Sequence, residues 1–359
     1  MNPPPRRVLV IVTRRIGDVL LATPVLRSLK RAWPDAAIDV LVFSSTAGVL
    51  SANQDIDKIL AIPERPKLMQ HIVFIVKLFR RYDLALSLLP GDRPTLYAFL
   101  AGRKRVGLLL ATRKERWKQR LLNHWVAYDP ISKHTVLTHL SVLGPLGVAP
   151  VAEIKPSWRE GDEQRAAEAL APLNKNPYVV LHLYPKFNYK MWHDAGWIAL
   201  ARWITARGLR VVLTGGNDPA ELDYVQRIAA SIGNALNLAG RLTLNECACV
   251  IVRATAYVGP DTALTHMAAA LGVPTVALFG PTDPVRWGPW PKDHDAIENP
   301  WRRLGDQSCH RVRLVQGNAM CVPCTHEGCE RHVASFSDCL LNLPATRVIQ
   351  ALSAAAGIT

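Results

Sequence analysis

The stretch 256-AYVGPDTALTHMAAALGVPTVALF-279 decides the fold. Residues 256–259 form an apolar run of strand length, and residues 275–279 form a second. Between them, Leu264, Met267, Ala268 and Leu271 follow the i, i+3, i+4, i+7 spacing of one buried helix face. Strand, helix and strand in such close succession make a βαβ unit, which requires a parallel sheet. The loop after the first strand is Pro260-Asp261-Thr262. Thr262 is a candidate cap for a helix whose first N–H groups and positive dipole end suit a phosphate. His266 in that helix either touches a ligand or satisfies a local backbone group.

The same alternation extends in both directions. Downstream of residue 177, strands are expected at 178–183 and 210–213 and helices at 194–207, 219–232, 245–253 and 345–355, with Gly215-Gly216 as a turn. Upstream, strands are expected at 8–12, 38–43, 58–62 and 84–88, with a helix at 19–33. Proline, glycine and charge break the pattern between 145 and 177, although 162–173 reads as a candidate helix. At 359 residues the chain has room for two domains of about 150 residues. The expected organisation is therefore α/β: two Rossmann-like domains at 1–155 and 178–344, a connector at 156–177 and a C-terminal helix in 345–359. No G-x-G-x-x-G follows the first strand, which argues against a dehydrogenase.

Charged residues at 20% and hydrophobic residues at 49% exclude a disordered chain. The best apolar runs, 8–12 and 72–76, are of strand length, far short of the ~20 residues a membrane span needs. Proline-rich residues 1–7 precede too few apolar residues for a secretory leader, so a cytoplasmic location is expected. The net charge of +14 is lopsided: residues 1–150 hold 23 Lys and Arg against 10 acids, the remainder 20 against 19. The densest basic stretch runs from Arg103, Lys104 and Arg105 through Arg113, Lys114, Arg116 and Lys118 to Arg120. Such a face fits an acidic partner, namely a phosphorylated glycolipid, an anionic leaflet or nucleic acid; a solvated basic face is the plain alternative. A non-catalytic nucleic-acid-binding protein is thus the rival class. Trp117 without a repeated aromatic pattern argues against it, and no nucleic-acid partner is expected.

Asp18, in Thr13-Arg14-Arg15-Ile16-Gly17-Asp18-Val19, lies where the first strand hands over to the first helix, beyond a strand's carboxyl end, where open α/β sheets bind ligands. It faces a ligand or is a helix cap. Lys186 and Lys190 follow another strand end, and a lysine beside a diphosphate neutralises charge on a leaving group. The triplets Asp55-Ile56-Asp57 and Asp293-His294-Asp295 are too short to establish a metal site. Seven cysteines are expected as thiols or metal ligands rather than as a disulfide framework. Cys247 and Cys249 lie in an apolar helical run and read as core. Cys321, Cys324, Cys329 and Cys339, in a Cys-rich segment at 309–339 with Cys309, His310, His326 and His332 nearby, are candidates for a zinc or iron site, for reduced structural thiols or for a redox pair.

Several segments, in order, resemble the ADP-heptose-dependent lipopolysaccharide heptosyltransferases of glycosyltransferase family 9. They are Arg-Ile-Gly-Asp-Val-Leu-Leu-Ala-Thr-Pro at 15–24, Lys190-Met191-Trp192, Gly215-Gly216, residues 260–266 and Phe279-Gly280-Pro281-Thr282-Asp283-Pro284. Gly91-Asp92-Arg93-Pro94 and Trp287-Gly288-Pro289-Trp290 look most like the heptosyltransferase III branch. The resemblance implies a GT-B architecture with two Rossmann-like domains facing a central cleft. It implies inverting transfer of heptose from ADP-heptose to a lipopolysaccharide inner-core sugar at the cytoplasmic face of the inner membrane, in peripheral contact with its anionic surface and without a required cofactor. A family relative using another nucleotide sugar is the alternative. By this resemblance Asp18 is the general base, Lys190 the donor-phosphate lysine and Asp261 the carboxylate on the donor sugar. Thr262, Ala263, Leu264, Thr265 and His266 correspond to the diphosphate-binding helix start, with Lys186 and the ribose candidate Glu221 completing the donor side. Arg14, Arg15, Arg93, Arg103 and Arg105 are assigned to the acceptor. Tyr184-Pro185 departs from members that carry small hydroxyl residues before the lysine.

Overall fold

Two long series of strands, nearly all parallel, organise the chain. The structure is a computed structural model that describes residues 3–129 and 131–359; Met1, Asn2 and Pro130, including the start of the expected proline-rich segment, lie outside the described residues. Close contacts divide the chain into unit 1, Met1–Ser157 with Asp295–Asn299, and unit 2, Trp158–His294 with Pro300–Thr359.

Unit 1 runs β1 (Arg7–Ile11), α1 (Ile16–Leu20), α2 (Thr23–Ala32), β2 (Ala37–Phe43), β3 (Lys58–Ile62), α3 (Leu68–Leu78), β4 (Tyr82–Ser87), α4 (Asp92–Ala101), β5 (Gly102–Leu109), α5 (Arg116–Gln119), β6 (His124–Ala127) and α6 (Thr135–Leu140). Among the described residues its sheet has the order β3-β2-β1-β4-β5-β6, every pairing parallel. The order therefore reverses between β1 and β4. The expected single helix at 19–33 is broken into α1 and α2 instead. Pro24, which lacks an N–H, sits in the first turn of α2, and Thr23 Oγ1 donates to the Leu20 carbonyl at 2.7 Å across the break. Residues 72–76, which read as strand-length, are the middle of α3.

Unit 2 runs α7 (Glu160–Leu170), β7 (Tyr178–His182), α8 (Asp194–Thr205), β8 (Arg210–Thr214), α9 (Pro219–Ile232), β9 (Ala235–Asn237), α10 (Leu244–Val252), β10 (Ala256–Pro260), α11 (Ala263–Leu271), β11 (Thr275–Phe279), α12 (Pro284–Trp287), β12 (Gln307–Cys309), β13 (Val312–Gln316), α13 (Asp338–Leu341) and α14 (Ala345–Ala356). Its order is β12-β13-β11-β10-β7-β8-β9, parallel except for the β12–β13 pair, and it reverses between β7 and β10. The stretch 156–177, expected as a connector, carries α7, which packs on α10. Trp192 and Trp197 meet edge to face in the core beneath α8, and Trp192 Nε1 donates to the Leu343 carbonyl at 2.8 Å, tying the segment before α14 to the sheet.

Candidate active site

Where the strand order of an open parallel sheet reverses, adjacent crossovers leave toward opposite faces and open a crevice beyond the strands' carboxyl ends. In unit 2 the crevice lies beyond β7 and β10. Lys190, in a short turn after β7, brings Nζ to 2.5 Å from Asp261 Oδ2 and 3.3 Å from the Asp261 carbonyl, just past the end of β10. Asp261 Oδ1 lies 3.6 Å from His266 Nε2 on α11. Burial works to raise the Asp261 pKa, but Lys190 and His266 overcome it and hold the carboxyl well below the usual carboxylate range. Among the described residues, His266 Nδ1 is buried with no hydrogen-bond partner.

Thr262 stands at the cap position of α11 but caps nothing, contrary to expectation: its hydroxyl lies 3.3 Å from Thr265 Oγ1 and accepts no backbone N–H. Thr265 is fully buried and donates to the Pro260 carbonyl at 2.5 Å. The helix start is thus left without a side-chain acceptor, with its dipole presented to whatever occupies the crevice. With Leu264, Thr265 and His266 buried, this segment offers a ligand mainly its backbone. Glu221 turns toward the glycine turn, where its Oε1 accepts from the Gly216 N–H at 2.7 Å. A Cβ on Gly215 would lie 2.7 Å from the same oxygen, so a side chain there would displace the Glu221 carboxylate. Burial raises the Glu221 pKa, the Gly216 bond opposes this, and Asp218 adds to it. Lys186 is exposed.

In unit 1 the reversal lies between β1 and β4. Asp18 occupies the first turn of α1, where the helix dipole favours a carboxylate, and it is not the cap; that position belongs to Arg15. It is buried, with Arg14 Nε 4.0 Å from its Oδ1. Arg93, in the first turn of α4 beyond β4, lies at the same end of the sheet and donates to the Glu64 carbonyl at 2.8 Å. Arg103 and Arg105 do not join them. Arg105 is in register with Ala85, which is in register with Leu9, so it stands level with the middle of β1, and Arg103 lies two residues nearer the amino ends, whereas Asp18 follows the carboxyl end of β1. Lys118 is withdrawn from the basic surface altogether, buried against the Pro90 carbonyl at 3.1 Å, Asp92 at 2.7 Å and Glu115.

The glycosyltransferase family 9 (heptosyltransferase) profile matches residues 77–311. Lipopolysaccharide heptosyltransferase 3 of Escherichia coli is 32% identical over 286 residues, covering 76% of this chain and 83% of that protein. The chain belongs to glycosyltransferase family 9. Solved structures carry the same fold. The family 9 glycosyl transferase of Veillonella parvula superposes with a TM-score of 0.78 at 18% identity, over 99% of this chain and 98% of the other. The ADP-heptose LPS heptosyltransferase II of E. coli gives 0.75 at 20% identity, over 98% of each chain. The architecture is GT-B, and the protein is a glycosyltransferase.

Two buried histidines were not picked out from the sequence. His182, at the end of β7, is buried with Nδ1 3.1 Å from the Thr214 carbonyl. Burial pushes its pKa down to about 4, against the pull of that hydrogen bond. His139 on α6 lies behind α1, Nδ1 3.3 Å from the Leu21 carbonyl; burial pushes it to about 4, the hydrogen bond opposes and Arg14 assists. The only available signal was a histidine inside an apolar run. Asp283 caps α12 and pairs with Arg303 at 2.9 Å. The first Asp-x-Asp triplet is structural: Asp55 pairs with Arg27 at 3.1 Å and Asp57 accepts from the Ile38 N–H at 2.8 Å.

The cysteine segment is arranged differently from the expected four-cysteine set. Cys339 is buried, and its thiol is pushed up to about 12, first by burial and then by the neighbouring Cys324, Cys321 and Cys329. Among the described residues, the group whose ligand atoms all lie within 4.8 Å of one another is instead His294, Cys309 and His310. Cys309 Sγ is 4.0 Å from His294 Nδ1. Two imidazoles and a thiolate suit zinc, with one tetrahedral position left over. Cys247 and Cys249 are buried on α10.

Proposed function

We propose that this glycosyltransferase moves heptose from ADP-heptose to a sugar of the lipopolysaccharide inner core, with inversion, at the cytoplasmic face of the inner membrane. The observation that carries the donor side is the Lys190–Asp261 pair at the uncapped start of α11, on the switch point of unit 2. A diphosphate there takes Lys190 as counter-ion and the α11 N–H groups as donors. Both strengthen their hold as the glycosidic bond breaks and charge gathers on the leaving phosphate. Asp261, released from Lys190, is left to accept hydroxyls of the donor sugar, and Glu221 those of the ribose. Asp18 takes the proton of the attacking acceptor hydroxyl, with Arg14, Arg15 and Arg93 gathering the anionic acceptor. The transfer draws on no cofactor in this scheme; a zinc or iron ion in the segment 309–339 would serve folding.

The test is incubation of the purified chain with ADP-heptose and a core oligosaccharide lacking that heptose, followed by mass spectrometry. A gain of one heptosyl unit is expected, as is thermal stabilisation by ADP above that by other nucleotides or by an oligonucleotide. Transfer from a different nucleotide sugar alone would overturn the donor assignment.

A further inference from the structure

α3 turns an apolar face outward. On its inner side Leu78 is buried, Phe74 packs edge to face on Tyr97 with ring centroids 5.8 Å apart, and His71 Nε2 lies 2.9 Å from the Tyr97 hydroxyl. These contacts fix which side faces the sheet. On the other side Leu68, Met69, Ile72, Val73, Val76 and, just past the helix, Phe79 are 45–75% exposed. At 3.6 residues per turn the five helical ones cover a continuous arc of about 140° without a polar residue among them. A contiguous exposed apolar face on a soluble domain marks an interaction surface.

Charge says what kind. Arg65 and Lys67 precede the arc, Lys77, Arg80 and Arg81 follow or flank it, and Glu64 is the one acid in residues 64–81. Lys77 and Arg81 also line a 490 Å³ cleft with Arg7 and Lys58, beside the same helix end. Arg80 extends this rim to β5 by donating from its backbone N–H to the Leu100 carbonyl at 2.8 Å, next to Arg103 and Lys104. A second copy meeting this face about a two-fold axis would set one basic rim against another. An anionic bilayer complements both parts, taking the apolar arc at the acyl boundary and the rim at the phosphates. With 11 residues α3 is too short to span and long enough to lie in the interface.

We propose that the outward face of α3, with Arg65, Lys67, Lys77, Arg80 and Arg81 as its rim, is the surface by which unit 1 rests on an anionic lipid bilayer. It gives the lipid-anchored acceptor of the proposed transfer a fixed approach, and in that respect rests on that reading. It also accounts for Arg103, exposed at the amino end of β5 and away from Asp18.

The experiment is co-sedimentation of the full chain with vesicles of phosphatidylcholine, with and without phosphatidylglycerol. Binding is expected only to the anionic vesicles and should weaken with salt. Lys77→Gln with Arg81→Gln should lower it about 25-fold, from roughly fivefold per basic residue. Ile72→Ser with Val76→Ser should lower it at least about tenfold while leaving the melting temperature unchanged, because both side chains are exposed. Val76→Trp should shift its emission to the blue on vesicle addition. Absence of vesicle binding, an unshifted Val76→Trp, or a serine pair that dissociates a dimer without altering vesicle binding would each overturn the proposal. Transfer to a deacylated, water-soluble acceptor should be equal in the wild type and the serine pair. If neither transfers heptose, the activity assignment fails while the vesicle result stands independently.

Discussion

Replacing Lys190 by methionine keeps the stem and removes only the charge facing Asp261. The Lys190 and Asp261 side chains are 18% and 7% exposed, so the carboxylate left behind is nearly dry, with His266 Nε2 at 3.6 Å as its remaining partner. Breaking a buried pair on one side costs about 3–5 kcal/mol; because Lys190 is partly wet, the lower end, about 3 kcal/mol, is expected. Urea denaturation of the single variant should show that loss, and Lys190→Met with Asp261→Asn should recover most of it, since both charges are then gone. The pH dependence has a definite sign. In the wild type the depressed Asp261 carboxyl supplies stability that is present above about pH 4 and is lost as pH falls through its folded value. Without Lys190, burial dominates and raises that value, so the variant takes up its proton sooner and its deficit narrows as pH falls. Turnover should drop about 10²–10³-fold in both variants, because the charge that meets the leaving diphosphate is missing. A single variant as stable as wild type, or a double variant no better than the single, would refute the buried-pair reasoning. Turnover within twofold would move the phosphate role elsewhere, with Lys186 the first candidate.

Asp18→Asn should lower turnover by about 10²–10⁴-fold with ADP binding unchanged. Because Asp18 is not the cap of α1, stability should fall by no more than about 1 kcal/mol, the worth of a carboxylate in a first helical turn; near-normal turnover would remove it as the base. His139 and His182, both neutral and buried, make stability fall with acidity. The unfolded chain binds their protons below about pH 6.5 and the folded chain only near pH 4, so unfolding free energy at pH 5 should be lower than at pH 7 by about 2 kcal/mol for each unit. Replacing either by glutamine should flatten that slope in chemical denaturation. Zinc analysis of protein purified without metal-affinity steps should find an ion that Cys309→Ser or His294→Ala removes and Cys324→Ser retains; the opposite pattern would return it to the four-cysteine set.

Several elements were legible in the chain itself. The helices at Pro219–Ile232 and Ala263–Leu271 and the strands at Lys58–Ile62 and Thr275–Phe279 fall where spacing put them, because their apolar periodicity and bounding turn residues act over a few residues. β5 and the edge strands β6, β9 and β12 were not legible: β5 opens on Gly102-Arg103-Lys104-Arg105, and the edge strands are short, so only pairing with a formed neighbour makes them strands. The helix over residues 72–76 was not legible because one run supplies both an inner face on Tyr97 and an outer face in solvent, and periodicity cannot see a helix that is apolar on two sides. Asp18, Lys190 and Asp261 could be picked out as residue types after strand ends. That Lys190 and Asp261 are partners and that Arg103 stands at the other end of the sheet from Asp18 came only from strand order and register. Those are set by contacts between residues far apart in the chain, and local sequence does not encode which strand lies beside which.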